Sequence, residues 1–219
     1  MFNGKMKAVT FSYDDNVRQD VRFIEILNKY GLKGTFNLNS LRFGDLTNSN
    51  RIKTTEVRSV YDGHEIAVHS LTHPFLERLD EAEIIKEVEE DRLTLSDLAG
   101  YEVVGMAYPY GTYNDRVVDI LRNKTGVKYS RTVNSTMNFE PQTELLTFHP
   151  TLHHGNSDLF DLAQKFIEMK ADTPKIFYIW GHTYEFDESE GQWERIEEFC
   201  KLISGKDDIF YGTNKEILL

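Results

Sequence analysis

The chain has 219 residues, of which 40% are hydrophobic and 28% are charged, and its formal net charge at pH 7 is −11. This length can bury the core of one large α/β domain, so we expect a single domain from residue 1 to residue 219. The acidic balance argues against nucleic acid and against anionic membranes as partners, because both attract basic surfaces. Neutral sugars and small metabolites are the ligands that the composition favours.

The N-terminal residues contain no secretory apolar stretch, and no apolar run approaches the ~18 residues that a membrane-spanning helix needs. We therefore expect a cytoplasmic protein. The single cysteine, Cys200, rules out an internal disulfide and lies in an amphipathic helical pattern. We expect it to pack as a small hydrophobic residue.

Short apolar runs alternate along the chain with longer amphipathic ones. The apolar runs predict strands at residues 8–12, 34–38, 65–68, 103–107, 127–133, 175–180 and 209–211. The amphipathic runs predict a first helix that begins at residue 17 and is capped by the glycine at residue 31, and a second helix whose last residues are 57–62. Further helices are predicted at 80–100, 114–123, 157–170 and 192–203. Asp80 and Glu83 form a capping box for the third of these helices, and Gly100 ends it.

This alternation predicts an α/β fold with a mostly parallel sheet, because buried strands joined by helices run in one direction. About seven strand–helix units in a chain of this length predict a (β/α) barrel, closed or nearly closed, rather than an open sheet.

Four polar clusters follow directly after predicted strands. They are Asp14-Asp15, the His69-Ser70-Leu71-Thr72-His73 segment, Tyr108-Pro109-Tyr110-Gly111, and Gly181-His182. In parallel α/β folds, ligands bind at the carboxyl ends of the strands. We therefore expect all four clusters to converge on one face of the barrel.

Two histidines and a carboxylate are the smallest set that holds a catalytic divalent metal and leaves a position open for water. Here the candidate ligands are Asp15, His69 and His73. A second carboxylate beside the ligand, Asp14, is a ready proton acceptor for that water. These residue types predict a metal-assisted hydrolase.

The same segments resemble the motifs of the polysaccharide deacetylases, the NodB-homology or carbohydrate esterase family 4 group. Val9-Thr10-Phe11-Ser12-Tyr13-Asp14-Asp15-Asn16 is similar to the family's first motif, and the His69–His73 segment to its second. Tyr108-Pro109-Tyr110-Gly111 resembles the end of the third motif, and Ile179-Trp180-Gly181-His182 stands in the place of the last. The similarity spans nearly the whole chain in the right order.

The resemblance implies a distorted (β/α) barrel in which Asp15, His69 and His73 hold the metal. Asp14 would be the base that deprotonates the attacking water, and His182 the acid that protonates the departing amine. The backbone N–H of Tyr110 would stabilise the oxyanion. A divalent metal improves both the nucleophile and the acetyl carbonyl, and Zn²⁺ is the default for such ligands, with Co²⁺, Ni²⁺, Mn²⁺ and Fe²⁺ also admissible.

The chain departs from the family pattern at two places. Asn16 replaces the usual glycine after the two aspartates, and asparagine tolerates a left-handed backbone. Ala107 stands where the third motif normally supplies an arginine for the base aspartate. Arg131, on the next predicted strand, is an available replacement. The aspartate that positions the acid histidine has no secure counterpart; Asp158, Asp161 and Asp187 are candidates.

Further side chains are candidates for the walls of the site. Trp180 can stack on a sugar ring or pack in the core. His149, His153 and His154 lie in a segment that we expect to be a loop, either solvated or forming part of the wall of the cleft. Glu185 follows the proposed acid closely enough to orient it, or is exposed to solvent.

Our first hypothesis is a metal-dependent deacetylase acting on a small N-acetylated, or less favourably O-acetylated, carbohydrate. One alternative is hydrolysis of another non-peptide C–N bond on the same fold, such as that of a cyclic ureide. The other is a catalytically silent relative that binds a saccharide or a metal, motivated by the missing arginine and glycine. A non-haem iron oxygenase uses a similar ligand set, but Asp14 and His182 fit hydrolysis better.

Overall fold

The strands of the protein form one parallel sheet. The computed structural model describes residues 2–47 and 49–219. Within them the strands are β1 (Lys7–Asp14), β2 (Gly34–Leu38), β3 (Glu65–Val68), β4 (Gly105–Ala107), β5 (Tyr129–Arg131), β6 (Leu152–His153), β7 (Lys175–Gly181) and β8 (Ile209–Tyr211). Their order is β5-β4-β3-β2-β1-β7-β6, with β8 paired to the first half of β1. The predicted α/β fold with a parallel sheet is confirmed.

The sheet curls into a distorted barrel that one chain segment links from edge to edge. Phe148 exchanges backbone hydrogen bonds with the edge strand β5, through Ser130 and Thr132. A few residues later, Thr151 and His154 donate backbone hydrogen bonds to β7. Segment 148–154 therefore joins the two ends of the strand order.

Helices cover the outside of this barrel. They are α1 (Gln19–Lys29), α2 (Gly44–Thr47), α3 (Val57–Val60), α4 (Glu81–Ile85), α5 (Asp91–Ala99), α6 (Asp115–Lys124), α7 (Leu159–Glu168), α8 (Gln192–Ile203) and α9 (Asn214–Leu218), with a π-helical turn, Lys86–Glu90, between α4 and α5. Among the described residues, no helix combines the length and the apolar character that crossing a membrane requires.

The central strand β1 is buried along its whole length, yet its two faces differ in polarity. Phe11 and Tyr13 pack against Phe23 of α1, on the helix side of the sheet. The alternate residues Thr10 and Ser12 form hydrogen bonds with polar side chains of other elements. Because side chains alternate along a strand, Asp14 shares this polar face and ends the strand beside the site.

The capping residues predicted from the sequence are found at the helix ends of the structure. The Asp80 carboxylate accepts a hydrogen bond from the Glu83 N–H, and the Glu83 carboxylate accepts one from the Asp80 N–H, at 2.9 Å each. Gly100 ends α5 with a φ of 80° and Gly31 follows α1 with a φ of 66°, values that favour glycine.

Several predicted elements differ in extent. Strands predicted at 103–107 and 127–133 are shorter, at Gly105–Ala107 and Tyr129–Arg131. The helix predicted at 80–100 contains the π-helical turn, and the segment predicted as a loop around His153 contains the short strand β6. Helices α2 and α9 were not predicted.

Candidate active site

The carboxyl ends of β1, β3, β4 and β7 meet around a cavity of about 400 Å³. The four polar clusters expected on one face therefore do converge. The residues that line this cavity are Asp14, Asp15, His69, His73, Tyr108, Tyr110, Gly111, Val133, Trp180, His182 and Tyr184.

The chain turns sharply as it leaves β1, and this turn presents Asp15 to the cavity. Asp15 has a φ of 83° and Asn16 a φ of 43°, both in the left-handed region. The expectation that Asn16 keeps the turn usually made by glycine is confirmed. Asn16 is also fully buried, and its side-chain oxygen accepts a hydrogen bond from the Asn39 backbone N–H at 3.2 Å. The asparagine thus ties β1 to the segment after β2.

Asp15, His69 and His73 bring one donor atom each to within 4.8 Å of one another. His69 Nε2 and His73 Nε2 lie 3.1 Å apart. The Ala107 carbonyl accepts a hydrogen bond from His69 Nδ1–H at 2.8 Å, which leaves the lone pair of Nε2 available for a metal. Burial, followed by the neighbouring His69, lowers the pKa of His73 to about 4, so this imidazole is neutral near pH 7.

This group of side chains fits a divalent metal. Metal ligation requires deprotonated donors, and imidazole nitrogens with a carboxylate are groups of this kind. Among the described residues, the Oδ1 atom of Asp15 is buried and has no hydrogen-bond partner, although Arg42 Nη1 and Arg51 Nη1 lie 3.5 and 3.9 Å from it. A two-histidine, one-carboxylate set is typical of catalytic sites that keep a position open for water or substrate.

Asp14 lies behind this group and is 3% exposed. Its Oδ1 accepts a hydrogen bond from Asn37 Nδ2 at 2.8 Å, and its Oδ2 accepts one from Arg131 Nη2 at 2.5 Å. Burial would raise the pKa of Asp14, but the Arg131 guanidinium and the nearby His69 and His182 outweigh it and lower the pKa to about 2. Asp14 is therefore a charged proton acceptor near neutral pH.

Arg131 is fully buried and lies behind Asp14 rather than on the cavity wall. In the sheet, Arg131 pairs in register with Ala107, the residue in the place of the family's arginine. The guanidinium also lies over the Trp180 ring, 4.6 Å from its centroid. A guanidinium thus reaches Asp14 from β5 instead of β4.

His182 follows β7, and its Nε2 lies 3.8 Å from Asp14 Oδ2. Its Nδ1 lies 3.1 Å from Glu185 Oε1, three residues along the chain. Burial lowers the pKa of His182, but the Glu185 hydrogen bond and the Asp14 charge more than compensate and raise it above its usual value. Of the candidates for its partner, Asp187 instead bonds to Gln19 and Trp193.

Aromatic side chains form the walls of the cavity. Tyr110, with a φ of 58°, stacks on Phe75 at 4.0 Å between ring centroids and is 52% exposed. Trp180 and Tyr184 also line the cavity, and both pack against the His182 ring. The cavity therefore has apolar ring faces beside its charged floor.

Sequence reasoning missed some of the groups that hold the site. Asn37, which bonds to Asp14, is a polar residue inside the apolar run 34–38, and polar residues at alternate strand positions are a signal for an inward-facing site. His153 and His154 bond to Glu185, and His149 bonds to Thr132. None of these three histidines lines the cavity, so the alternative in which their segment forms part of its wall is wrong.

The family model for polysaccharide deacetylase matches residues 3–130, more than half of the chain. The chain belongs to the polysaccharide deacetylase family. Among similar sequences, the peptidoglycan-N-acetylmuramic acid deacetylase PdaC of Bacillus subtilis is 28% identical over 52% of this chain and 23% of that protein. A bifunctional xylanase/deacetylase of Pseudobutyrivibrio xylanivorans is 25% identical over 76% of this chain and 28% of that protein. The chain thus spans about a quarter of each of these relatives.

Solved structures show the same fold along nearly the whole of this polysaccharide deacetylase chain. A family 4 carbohydrate esterase from Streptomyces lividans, in complex with acetate, has a TM-score of 0.64 at 16% identity and covers 95% of this chain and 93% of its own. A family 4 pseudoenzyme from Bacillus anthracis also has a TM-score of 0.64, at 19% identity, and the match covers 99% of this chain and 66% of that chain. Because this fold occurs in a pseudoenzyme as well, the residues of the site must carry the functional argument.

Proposed function

We propose that this protein is a metal-dependent hydrolase that removes acetyl groups from an N-acetylated carbohydrate, with Zn²⁺ as the default metal. The observation that carries the proposal is the position of Asp14 Oδ2. This atom lies 3.8 Å from His69 Nε2, on the metal-donor side, and 3.8 Å from His182 Nε2 on the other. A base and an acid therefore flank the place where an acetyl group would react.

A divalent metal held by Asp15, His69 and His73 would polarise the acetyl carbonyl and make water a better nucleophile. Asp14 accepts the proton of that water at its carboxylate. Arg131 and Asn37 hold Asp14 by one hydrogen bond to each oxygen, which fixes its direction. A positioned base of this kind is worth about 10²–10⁴-fold in rate.

His182 gives a proton to the departing nitrogen. An amine is a poor leaving group unless it is protonated as the C–N bond breaks, and an imidazole is suited to this step near neutral pH. The raised pKa of His182 keeps a larger fraction of it in the acid form there. The backbone N–H of Tyr110 is the proposed donor to the oxyanion, a contribution of about 3 kcal/mol when preorganised.

The walls of the cavity suit a sugar ring. Tyr110 offers an exposed ring already stacked on Phe75, and Trp180 also lines the cavity. Stacking on aromatic rings stabilises the apolar faces of saccharides without requiring charge. We assign Tyr110 and Trp180 to substrate binding, and Arg131 to the support of Asp14.

The missing third-motif arginine was the main reason to consider a silent relative. Because Arg131 reaches Asp14 from the neighbouring strand, that reason loses its force. Hydrolysis of another non-peptide C–N bond requires the same groups and is separated from deacetylation only by its product.

The decisive experiment is a measurement of acetate released by Zn²⁺-loaded protein from N- and O-acetylated mono- and oligosaccharides. We expect acetate from the N-acetylated compounds, and a loss of at least about 100-fold in Asp14→Asn, because the amide cannot accept the proton. Metal content is measured on the same samples.

Asp187→Asn is the matched control, since it removes a carboxylate that bonds to Gln19 and Trp193 outside the cavity. Its activity should equal that of the parent. A parent protein that binds one metal per chain and releases no acetate from any compound would refute the deacetylase assignment.

A further inference from the structure

The Glu185 carboxylate, which is neither the proposed base nor a proposed metal ligand, contacts three imidazole rings. Glu185 Oε1 lies 3.1 Å from His182 Nδ1, while Glu185 Oε2 lies 3.0 Å from His153 Nε2 and 3.1 Å from His154 Nε2. His153 ends β6, His154 comes directly after it, and His182 follows β7, so adjacent strands bring the three rings to one carboxylate. These contacts strongly lower the pKa of Glu185, although burial opposes them, and the group is charged.

Glu185 is fixed in place by its own backbone as well. It lies in the short 3-10 turn Thr183–Asp187, where its N–H donates to the His182 carbonyl at 3.2 Å. In return, the His182 N–H donates to Glu185 Oε2 at 3.2 Å. The carboxylate therefore has little freedom to leave the His182 ring.

His154 belongs to the packed interior rather than to a mobile loop. It is 3% exposed and stacks on Tyr13 with an interplanar angle of 5°. Its ring lies against Gly181, where any side chain would collide with it. The pKa of His154 is lowered to about 4, chiefly by burial, so this ring contributes a neutral N–H donor near pH 7.

His153, His154 and Glu185 are close enough to be considered as a second metal site. The hydrogen bonds argue against this reading. His153 Nδ1 accepts a hydrogen bond from the Gly155 N–H at 3.0 Å, so the proton of the neutral ring is on Nε2, the atom that faces Glu185. A protonated nitrogen donates to the carboxylate and has no lone pair for a metal.

We propose that Glu185 is the positioning residue of His182, and that His153 and His154 share this carboxylate and so limit the negative charge that His182 experiences. The catalytic meaning of this arrangement rests on the proposed function. The arrangement itself does not, because it concerns only hydrogen bonds among these four side chains.

Glu185 lies closer to His182 than the other charged groups around this ring do. Asp14 is further away, at 3.8 Å, and its charge is already paired with Arg131. The charge of Asp15 affects the His182 ring less than the charge of Asp14 does. Tyr184, which is stacked on His182, is an uncharged phenol because its pKa is raised to about 12. A change at Glu185 should therefore reach His182 more directly than a change at any other group.

The test is a measurement of the imidazole pKa of His182 by NMR on the full chain loaded with Zn²⁺. Glu185→Gln keeps the shape of the side chain and removes its charge, so we expect the pKa of His182 to fall by about one pH unit or more. His153→Ala removes a competing donor, so the pKa of His182 should rise. Opposite signs from two neighbouring substitutions are not expected from a general loosening of the structure.

Asp187→Asn, which changes a carboxylate in the same turn, should leave the pKa of His182 unchanged. If acetate is released, the alkaline limb of the kcat/KM profile should move with the pKa in each variant. An unchanged pKa in Glu185→Gln would overturn the positioning role, and an unchanged or lower pKa in His153→Ala would overturn the sharing. A second bound Zn²⁺ that His153→Ala removes would overturn the proposal in favour of a metal site. Because the NMR readout needs no substrate, failure of the deacetylase assignment is separate from failure of this proposal.

Discussion

Asp14 obtains its guanidinium partner from an unexpected strand, and the sheet register explains how. Ala107 of β4 and Arg131 of β5 are paired in a parallel ladder, and paired residues point to the same face of a sheet. An arginine side chain is long enough to cover the extra strand spacing of about 4.8 Å. The guanidinium can therefore come from either strand, provided that the paired position on the other strand holds a small residue such as Ala107.

Removal of this arginine should be costly for both activity and folding. Arg131→Met leaves the charge of Asp14 buried without its partner, which we expect to destabilise the fold by about 3–5 kcal/mol. It should also lower kcat/KM by about 10–100-fold, the usual effect of losing a supporting contact at a metal site. Urea unfolding and acetate release measure the two effects.

The register suggests a matched variant for this experiment. Arg131→Ala combined with Ala107→Arg returns the guanidinium from the neighbouring strand, so the double variant should recover part of the activity lost in Arg131→Ala alone. No recovery in a double variant that folds like the parent would show that Asp14 requires the guanidinium direction that only β5 provides.

At the level of residues, the sequence was informative where chemistry depends on local order. Asp14-Asp15 and the His69–His73 segment follow strands directly, so their meeting at one face could be predicted before the structure was known. The contact of Arg131 with Asp14 could not, because it depends on the register of two strands 24 residues apart in the sequence. Glu185 was visible as a neighbour of His182, but its bonds to β6 were not.

At the level of elements, the π-helical turn Lys86–Glu90 supports the loop that carries His69 and His73. The Leu71 N–H donates to the Glu87 backbone carbonyl at 2.9 Å. The Glu87 carboxylate accepts hydrogen bonds from the Thr72 hydroxyl and the Thr72 N–H, at 2.7 and 2.9 Å. A π turn disrupts the regular i→i−4 bonding of a helix, and such turns occur often at functional sites.

Glu87 should therefore affect metal binding without touching the metal. Glu87→Ala removes both side-chain hydrogen bonds to Thr72, which leaves the loop between His69 and His73 less ordered. We expect about a tenfold loss of Zn²⁺ affinity, measured by competition with a chromogenic chelator.

Glu90→Ala is the control, because Glu90 belongs to the same turn but is exposed to solvent. It removes the same charge from the same helix and should leave the affinity unchanged. An equal loss in both variants would mean that the negative charge of the helix, and not the contact with Thr72, sustains the affinity.

Elements with strong periodic patterns could be predicted, whereas short ones that depend on tertiary partners could not. Helix α8 agrees with the prediction at 192–203, since Ile196, Phe199 and Ile203 recur at helical spacing and are buried. Strand β6 has two residues, too few for any alternation to show, and exists only because β7 lies beside it. Helix α9 is similarly short and carries few apolar residues.

At the level of the whole molecule, helix α9 and the interior of the barrel are joined by a buried polar network. Asn214 donates to the Tyr178 hydroxyl at 2.6 Å and to Thr35 Oγ1 at 2.8 Å. Thr35 in turn donates to Glu65, which also accepts from the Tyr129 hydroxyl at 2.7 Å. Buried polar groups that are all hydrogen-bonded specify one arrangement of the strands. The network thus fixes the barrel from the side opposite to the carboxyl strand ends.

A second buried carboxylate gives the fold a pH dependence of its own. Asp20 of α1 is 1% exposed and accepts hydrogen bonds from Tyr61 and from Thr183, the residue after His182. Burial raises the pKa of Asp20 from 3.8 to about 7, and these two hydrogen bonds only partly oppose it. Between these pH values the folded protein binds more protons than the unfolded chain, so the contribution of Asp20 to stability falls as the pH rises.

Asp20→Asn should remove this dependence, because an amide stays neutral at every pH. The free energy of unfolding of the variant, minus that of the parent, should therefore rise between pH 4 and pH 7, by up to about 1.4 kcal/mol per pH unit. Urea unfolding at several pH values, with a chelator present to exclude bound metal, measures this difference. Asp187→Asn serves for comparison. Hydrogen bonds from Trp193 and Gln19 lower the pKa of Asp187, so the difference between this variant and the parent should not rise across the same range. If the difference for Asp20→Asn does not rise either, Asp20 is charged throughout and Tyr61 and Thr183 outweigh its burial.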